Sequence, residues 1–127
     1  MKIFNPKVHG ILDYVVVIAF ALAPTVLGFS GMPATISHLL AAIHLILTLT
    51  TAFPPGVVRI VPLPLHGAVE FVVSIALVAL PWIFKFAPDT VARNFYVSAG
   101  ALIFAVWLVT DYRTIPKADP KGSNPAF

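Results

Sequence analysis

Apolar residues along this chain fall into four long runs, separated by short breaks that are polar or rich in proline. The runs cover approximately residues 10–28, 34–53, 65–84 and 95–110. At 1.5 Å of rise per residue, the first run forms a helix about 28 Å long, close to the roughly 30 Å hydrocarbon thickness of a bilayer. An open strand would leave its backbone groups unpaired in lipid, so every run is predicted to be helical. Asn5-Pro6 reads as a cap followed by a first-turn proline, with residues 3–7 as an interfacial lead-in. The first break is the tight turn Phe29-Ser30-Gly31-Met32-Pro33. The second is a connector carrying Pro54, Pro55, Pro62 and Pro64, and the third is a polar link with Lys85, Asp89, Arg93 and Asn94. The predicted fold is an all-α membrane protein with four transmembrane helices in residues 1–112, followed by a polar cytoplasmic tail, 113–127.

The first and third runs are written alike. His9 to Pro24 reads HGILDYVVVIAFALAP and His66 to Pro81 reads HGAVEFVVSIALVALP, with a constant offset of 57 and seven of sixteen positions identical. The exchanges Asp13/Glu70 and Tyr14/Phe71 keep their chemistry. This is an internal duplication of a two-helix unit, residues 3–53 and 60–112. With four spans the two units run parallel, related by an axis along the membrane normal. Pro24 and Pro81 each remove a backbone hydrogen bond and free the carbonyls of Phe20 and Leu77, which predicts a matched pair of bends. The small residues Ala19/Ala23, Ser37/Ala41 and Ala101/Ala105, each pair spaced by four, suit close helix contacts.

Composition supports lipid as the solvent. The chain is 59% hydrophobic and 10% charged, with a mean hydropathy of +0.95, whereas a soluble domain carries about a quarter charged residues. The net charge of +3 comes from cations scattered over loops and tail. They form no basic face, so nucleic acid is rejected as a partner. Lys2, Lys7, Arg59, Arg113, Lys117 and Lys121 lie on the side of the termini, while Lys85 and Arg93 lie opposite. That bias puts both termini in the cytoplasm of a multi-pass protein of the bacterial inner membrane. Ala19-Phe20-Ala21-Leu22-Ala23 imitates a signal-peptide cleavage site, but the same segment recurs mid-chain, so the first run is read as a retained helix. The absence of cysteine excludes disulfides and thiolate chemistry.

The paired His-Gly-x-x-acid openings and the far-end prolines resemble the SPW-repeat family of small bacterial membrane proteins. Ala23-Pro24-Thr25-Val26-Leu27-Gly28-Phe29-Ser30 and Leu80-Pro81-Trp82-Ile83-Phe84-Lys85-Phe86 carry the same resemblance. It extends from Met1 to about Tyr112. The family's Ser-Pro-Trp triplet reads Ala-Pro-Thr in the first copy and Leu-Pro-Trp in the second. The resemblance implies a duplicated unit of two transmembrane helices and brings no established activity.

Candidate chemistry rests on the repeated polar pair. Residues i and i+4 share a helix face, so His9 meets Asp13 and His66 meets Glu70. One reading is a structural hydrogen bond within each helix. If the pairs converge across the repeat axis, the set suits a divalent metal such as zinc, iron or manganese, or the handling of protons or a substrate. His44 is expected at mid-membrane on the second helix with Thr48 and Thr51 near its face. There it acts in packing or as half of a bis-His haem across a dimer axis. Trp82, Trp107, Tyr96 and Tyr112 need only belt or packing roles. The leading expectation is a non-enzymatic accessory or assembly element, a four-helix bundle acting as a homo-oligomer or within a larger membrane complex. The alternatives are a haem- or metal-binding redox protein and a small transporter or channel.

The predicted orientation is testable because the chain has no cysteine of its own. A membrane-impermeant maleimide should label Lys85→Cys in whole cells, and Arg59→Cys only after the membrane is opened. The opposite pattern would refute the cytoplasmic placement of the termini.

Overall fold

The computed structural model describes residues 2–112; the predicted tail, 113–127, lies outside them. Four helices make up the fold: α1 (Pro6–Leu27), α2 (Met32–Thr50), α3 (Leu63–Ile83) and α4 (Thr90–Val109). All four are long and apolar enough to cross a membrane. Their outward surfaces are rich in exposed Ile, Leu and Val, such as Ile18, Val26, Ile43, Val72 and Leu102. Each helix therefore presents an apolar face outward and packs against its neighbours on the other side.

Local chemistry sets the helix ends. Asn5 caps α1 by accepting from the Val8 amide at 2.9 Å, with Pro6 in the first turn. Asp89 caps α4 by accepting from the Ala92 amide at 3.1 Å. This moves the start of α4 to Thr90, five residues before the apolar run begins. Arg93 and Asn94 belong to its first five residues rather than to the preceding link, because a cap fixes a helix start independently of hydropathy. The last carbonyls of α2 and α4 have no intrahelical partner, and chain outside the helices supplies one. The Val57 and Val58 amides donate to Leu49 O, those of Ile60 and Val61 to Thr50 O, and those of Ile3 and Phe4 to Val109 O. Two isolated parallel bridges result, Phe4 with Thr110 and Thr51 with Val61. They bring the starts of α1 and α3 to the ends of α4 and α2.

α1 packs along α2 and α3 along α4, while α1 meets α4 only lightly. The molecule is thus two helical hairpins laid side by side. At the hairpin-turn end, between the two hairpins, Phe20, Phe29, Phe86, Phe95 and Tyr96 form an edge-on aromatic cluster, with Phe20 and Phe95 centroids 5.1 Å apart. The Tyr96 hydroxyl donates to Pro33 O at 2.7 Å and ties α4 to α2. The Phe20 carbonyl, freed by Pro24, accepts from the Ser37 hydroxyl at 2.6 Å and ties α1 to α2.

Of the small residues marked in the sequence, Ala23, Ser37 and Ala41 are buried, whereas Ala19, Ala101 and Ala105 face outward. The close approach on α4 is made by Gly100, where an added Cβ would stand 2.6 Å from the Ser74 carbonyl oxygen. Backbone cannot yield as a side chain does, so Gly100→Leu should force α3 and α4 apart and destabilise the fold by about 1–3 kcal/mol. Thermal unfolding in detergent measures this, and an unchanged midpoint would contradict the packing.

Candidate functional site

His9, Asp13, His66 and Glu70 come together between α1 and α3, and all four are buried, the histidines completely. Helix periodicity explains half of this, since each histidine lies one turn before its own acid. The parallel setting of the helix starts explains the rest, because it brings the two pairs face to face. Each carboxylate spans both imidazoles. Asp13 places Oδ1 3.2 Å from His9 Nε2 and Oδ2 3.1 Å from His66 Nε2. Glu70 places Oε2 2.9 Å from His9 Nε2 and Oε1 3.2 Å from His66 Nε2. The result is a closed ring of alternating imidazole and carboxylate. Its histidines lie three residues and its acids seven residues beyond the helix starts, about 5 and 10 Å along each axis.

The other ring nitrogens fix the tautomer. His9 Nδ1 lies 2.8 Å from the Thr110 hydroxyl and His66 Nδ1 lies 2.7 Å from that of Thr51. Thr110 donates its one proton to Val106 O at 2.6 Å, and Thr51 donates its proton to Leu47 O at 2.6 Å. Both hydroxyls must therefore accept from the imidazoles, and Nδ1 carries hydrogen in each histidine. In a neutral ring the Nε2 lone pair then faces the carboxylates. Although the Nε2–oxygen separations are short, neither Nε2 is aligned for a hydrogen bond with a carboxylate. Both nitrogens aim into the space between the acids. Orientation of a histidine through its far nitrogen is the usual companion of metal ligation.

Two aromatic side chains cover the site toward the chain ends. The Tyr112 hydroxyl donates to Glu70 Oε2 at 3.0 Å and its ring stands edge-on to His9, with centroids 5.4 Å apart. Burial, together with the nearby Glu70 and Asp13 carboxylates, holds the Tyr112 hydroxyl well above its ordinary range, so it remains a donor. Phe53 lies beside His66, centroids 5.5 Å apart. Gly10 and Gly67 make room for this cover. A Cβ at Gly10 would meet Phe53 at 2.8 Å, and one at Gly67 would meet Tyr112 at 2.9 Å.

His44 stands beside the same centre. It is six residues before Thr50, about 9 Å from that end of α2, and so level with Asp13 and Glu70. Its Nε2 is 3.7 Å from Asp13 Oδ1 and 3.9 Å from Glu70 Oε1. Thr48 hydrogen-bonds the His44 carbonyl rather than its ring, and Thr51 serves His66. Sequence reading found the four central residues but assigned no site role to Thr110 and Tyr112, and noted Thr51 only as a residue near the helix face of His44. The available signal was a second repeat, Thr51-Ala52-Phe53 and Thr110-Asp111-Tyr112, offset by 59 rather than 57.

Comparison of the chain with family models, with curated proteins and with solved structures gave no match.

Removing either threonine hydroxyl leaves a buried imidazole N–H without an acceptor, which costs about 1–3 kcal/mol. Thr51→Val and Thr110→Val should each lower stability by that amount in detergent, whereas Thr→Ser at either position should restore most of it. Equal loss in the serine variants would mean that packing of the threonine methyl, not the hydroxyl, supports the site.

Proposed function

We propose that this chain is an integral membrane protein of structural or accessory type, built from two parallel two-helix units, whose buried centre holds one divalent metal ion. The supporting observation is the aim of His9 Nε2 and His66 Nε2 into the space between Asp13 and Glu70, with both Nδ1 atoms committed to threonines. Each of the four residues offers a ligand atom within 4.8 Å of the others. An ion bound at 2.0–2.1 Å separates tetrahedral ligands by about 3.3 Å; the imidazole–carboxylate contacts of 2.9–3.2 Å lie within a few tenths of an ångström of that value, and the wider separations, within 4.8 Å, would close as the ion enters.

Charge supports the same reading. Metal ligation takes the imidazoles in their neutral form, and the two carboxylates then bring a charge of minus two. A single divalent ion balances the sum in a medium where each uncompensated charge costs at least about 2.5–3.5 kcal/mol at the centre and less toward the interface. The size of the cage favours a bare ion over haem, because ligand atoms this close leave no slot for a macrocycle. The ion would act as a clasp between the two hairpins at the end of the bundle opposite the aromatic cluster. This unites the accessory role expected from sequence with the metal-binding alternative.

A second reading has one observation in its favour. Separations of 2.9–3.2 Å are also hydrogen-bond distances, so a proton on each Nε2 would neutralise the cluster as well.

Elemental analysis and equilibrium dialysis of purified protein against zinc, manganese and ferrous iron decide between them. One ion per chain is expected, with loss in His66→Ala and in Glu70→Gln. Metal at a hundredfold excess over Kd should stabilise the fold by about 2.7 kcal/mol. If no metal binds stoichiometrically and chelator leaves the melt unmoved, the proton reading takes its place.

A further inference from the structure

His44 is not explained by the four-residue centre. Its Nε2 is buried and has no hydrogen-bond partner among the described residues. The distances to Asp13 Oδ1 and Glu70 Oε1, 3.7 and 3.9 Å, are too long for hydrogen bonds. An imidazole on a membrane helix ordinarily finds a hydroxyl or a carbonyl, as His9 and His66 do. This one instead presents a bare nitrogen to two carboxylate oxygens from two other helices.

We propose, building on the metal-centre reading, that His44 is a fifth protein ligand and the residue that selects the ion. Donors bound at about 2.1 Å stand about 3.0 Å apart at a right angle, about 3.6 Å at 120° and about 4.2 Å in trans, by the geometry of ordinary metal–ligand bonds. The separations of His44 from the two carboxylates fall between the last two values, as for a ligand sharing a plane with both. His44 stands outside the set whose ligand atoms lie within 4.8 Å of one another, so the ring swings inward as the ion enters. A cavity of about 40 Å³ beside it, walled by Leu40, Ile43, Leu47, Val69 and Val73, leaves the ring free to turn.

Three imidazoles and two carboxylates make a coordination number of at least five. Each carboxylate directs both oxygens at the centre, so the number can rise further. Structural zinc is almost always four-coordinate, and zinc otherwise outcompetes manganese and ferrous iron at nitrogen and oxygen sites. A fifth ligand works against that order. The centre with His44 in place takes manganese or iron; without it, the remaining four ligands make a zinc site. Five protein ligands also close the ion off, which fits a structural role.

Cobalt(II) is the probe, because its visible bands strengthen markedly when coordination falls from five or six to four. The detergent-solubilised full chain should give weak bands. His44→Leu, which keeps an apolar volume in α2, should give intense four-coordinate bands and weaken manganese binding by at least about tenfold, the lower end of what even an outer-sphere partner is worth. If His44→Leu fails to fold, His44→Ala with added imidazole replaces it, and the added ligand should restore the weak spectrum. Cobalt bound with the same spectrum in parent and variant would overturn the role of His44 while leaving the centre intact. A parent chain that binds no cobalt would instead overturn the centre itself.

Discussion

Two carboxylates buried side by side in an apolar bundle are the constraint to which the rest of this structure answers. In low dielectric each charge is costly alone, and a second like charge nearby raises the cost. Every polar group near Asp13 and Glu70 acts to relieve it. His9 and His66 bring nitrogen within 2.9–3.2 Å of all four oxygens, and Tyr112 adds a neutral donor to Glu70. Thr51 and Thr110 hold the imidazoles so that they cannot turn away. Gly10 and Gly67 lack side chains where the covering aromatic rings must approach. Replacing any of these groups by an apolar one leaves the charges in place with less to balance them.

The two ends of the bundle are held together by different physics. In a bilayer, which helices of this length and apolarity can cross, burial of apolar surface would give no preference for helix over lipid. Toward the hairpin turns, contact comes from interlocked aromatic rings and from hydroxyls of Ser37 and Tyr96 bonded to carbonyls of neighbouring helices. Toward the chain ends, contact between hairpins is polar: the ring of imidazoles and carboxylates, the threonine and Tyr112 hydroxyls, and the bridge between Phe4 and Thr110. Backbone segments outside the helices add hydrogen bonds to the last carbonyls of α2 and α4. A water-facing protein can leave such carbonyls to solvent, but a protein at a membrane boundary gains from providing its own donors.

The number of helices and the four central residues were legible from sequence because both rest on long-range regularity. Hydropathy recurs over some twenty residues, and His-Gly-x-x-acid is written twice at one offset. The helix start at Thr90 was not legible from hydropathy, because the Asp89 cap places polar Arg93 and Asn94 inside the helix. Thr110 and Tyr112 were missed because the link between α3 and α4 is longer than the turn between α1 and α2. This changes the offset from 57 to 59 and breaks any simple alignment of the two halves. The end of α2 is hidden for a similar reason. Its run extends to Phe53 in hydropathy, but the helix ends at Thr50, where the chain turns to form the bridge with Val61.

The threonine clasps cross between hairpins. Thr51 ends the first hairpin and serves His66 of the second; Thr110 ends the second and serves His9 of the first. A lone hairpin would therefore hold a histidine whose partner is missing and a threonine with nothing to hold. Neither half is self-sufficient, so a single two-helix unit would have to meet another copy to complete the site. Joining the halves through residues 51–62 turns that encounter between separate chains into a closure within one chain, at an effective concentration set by a short tether rather than by abundance in the membrane. A single chain can also carry unlike residues around one centre: His44 in the first half, Tyr112 in the second.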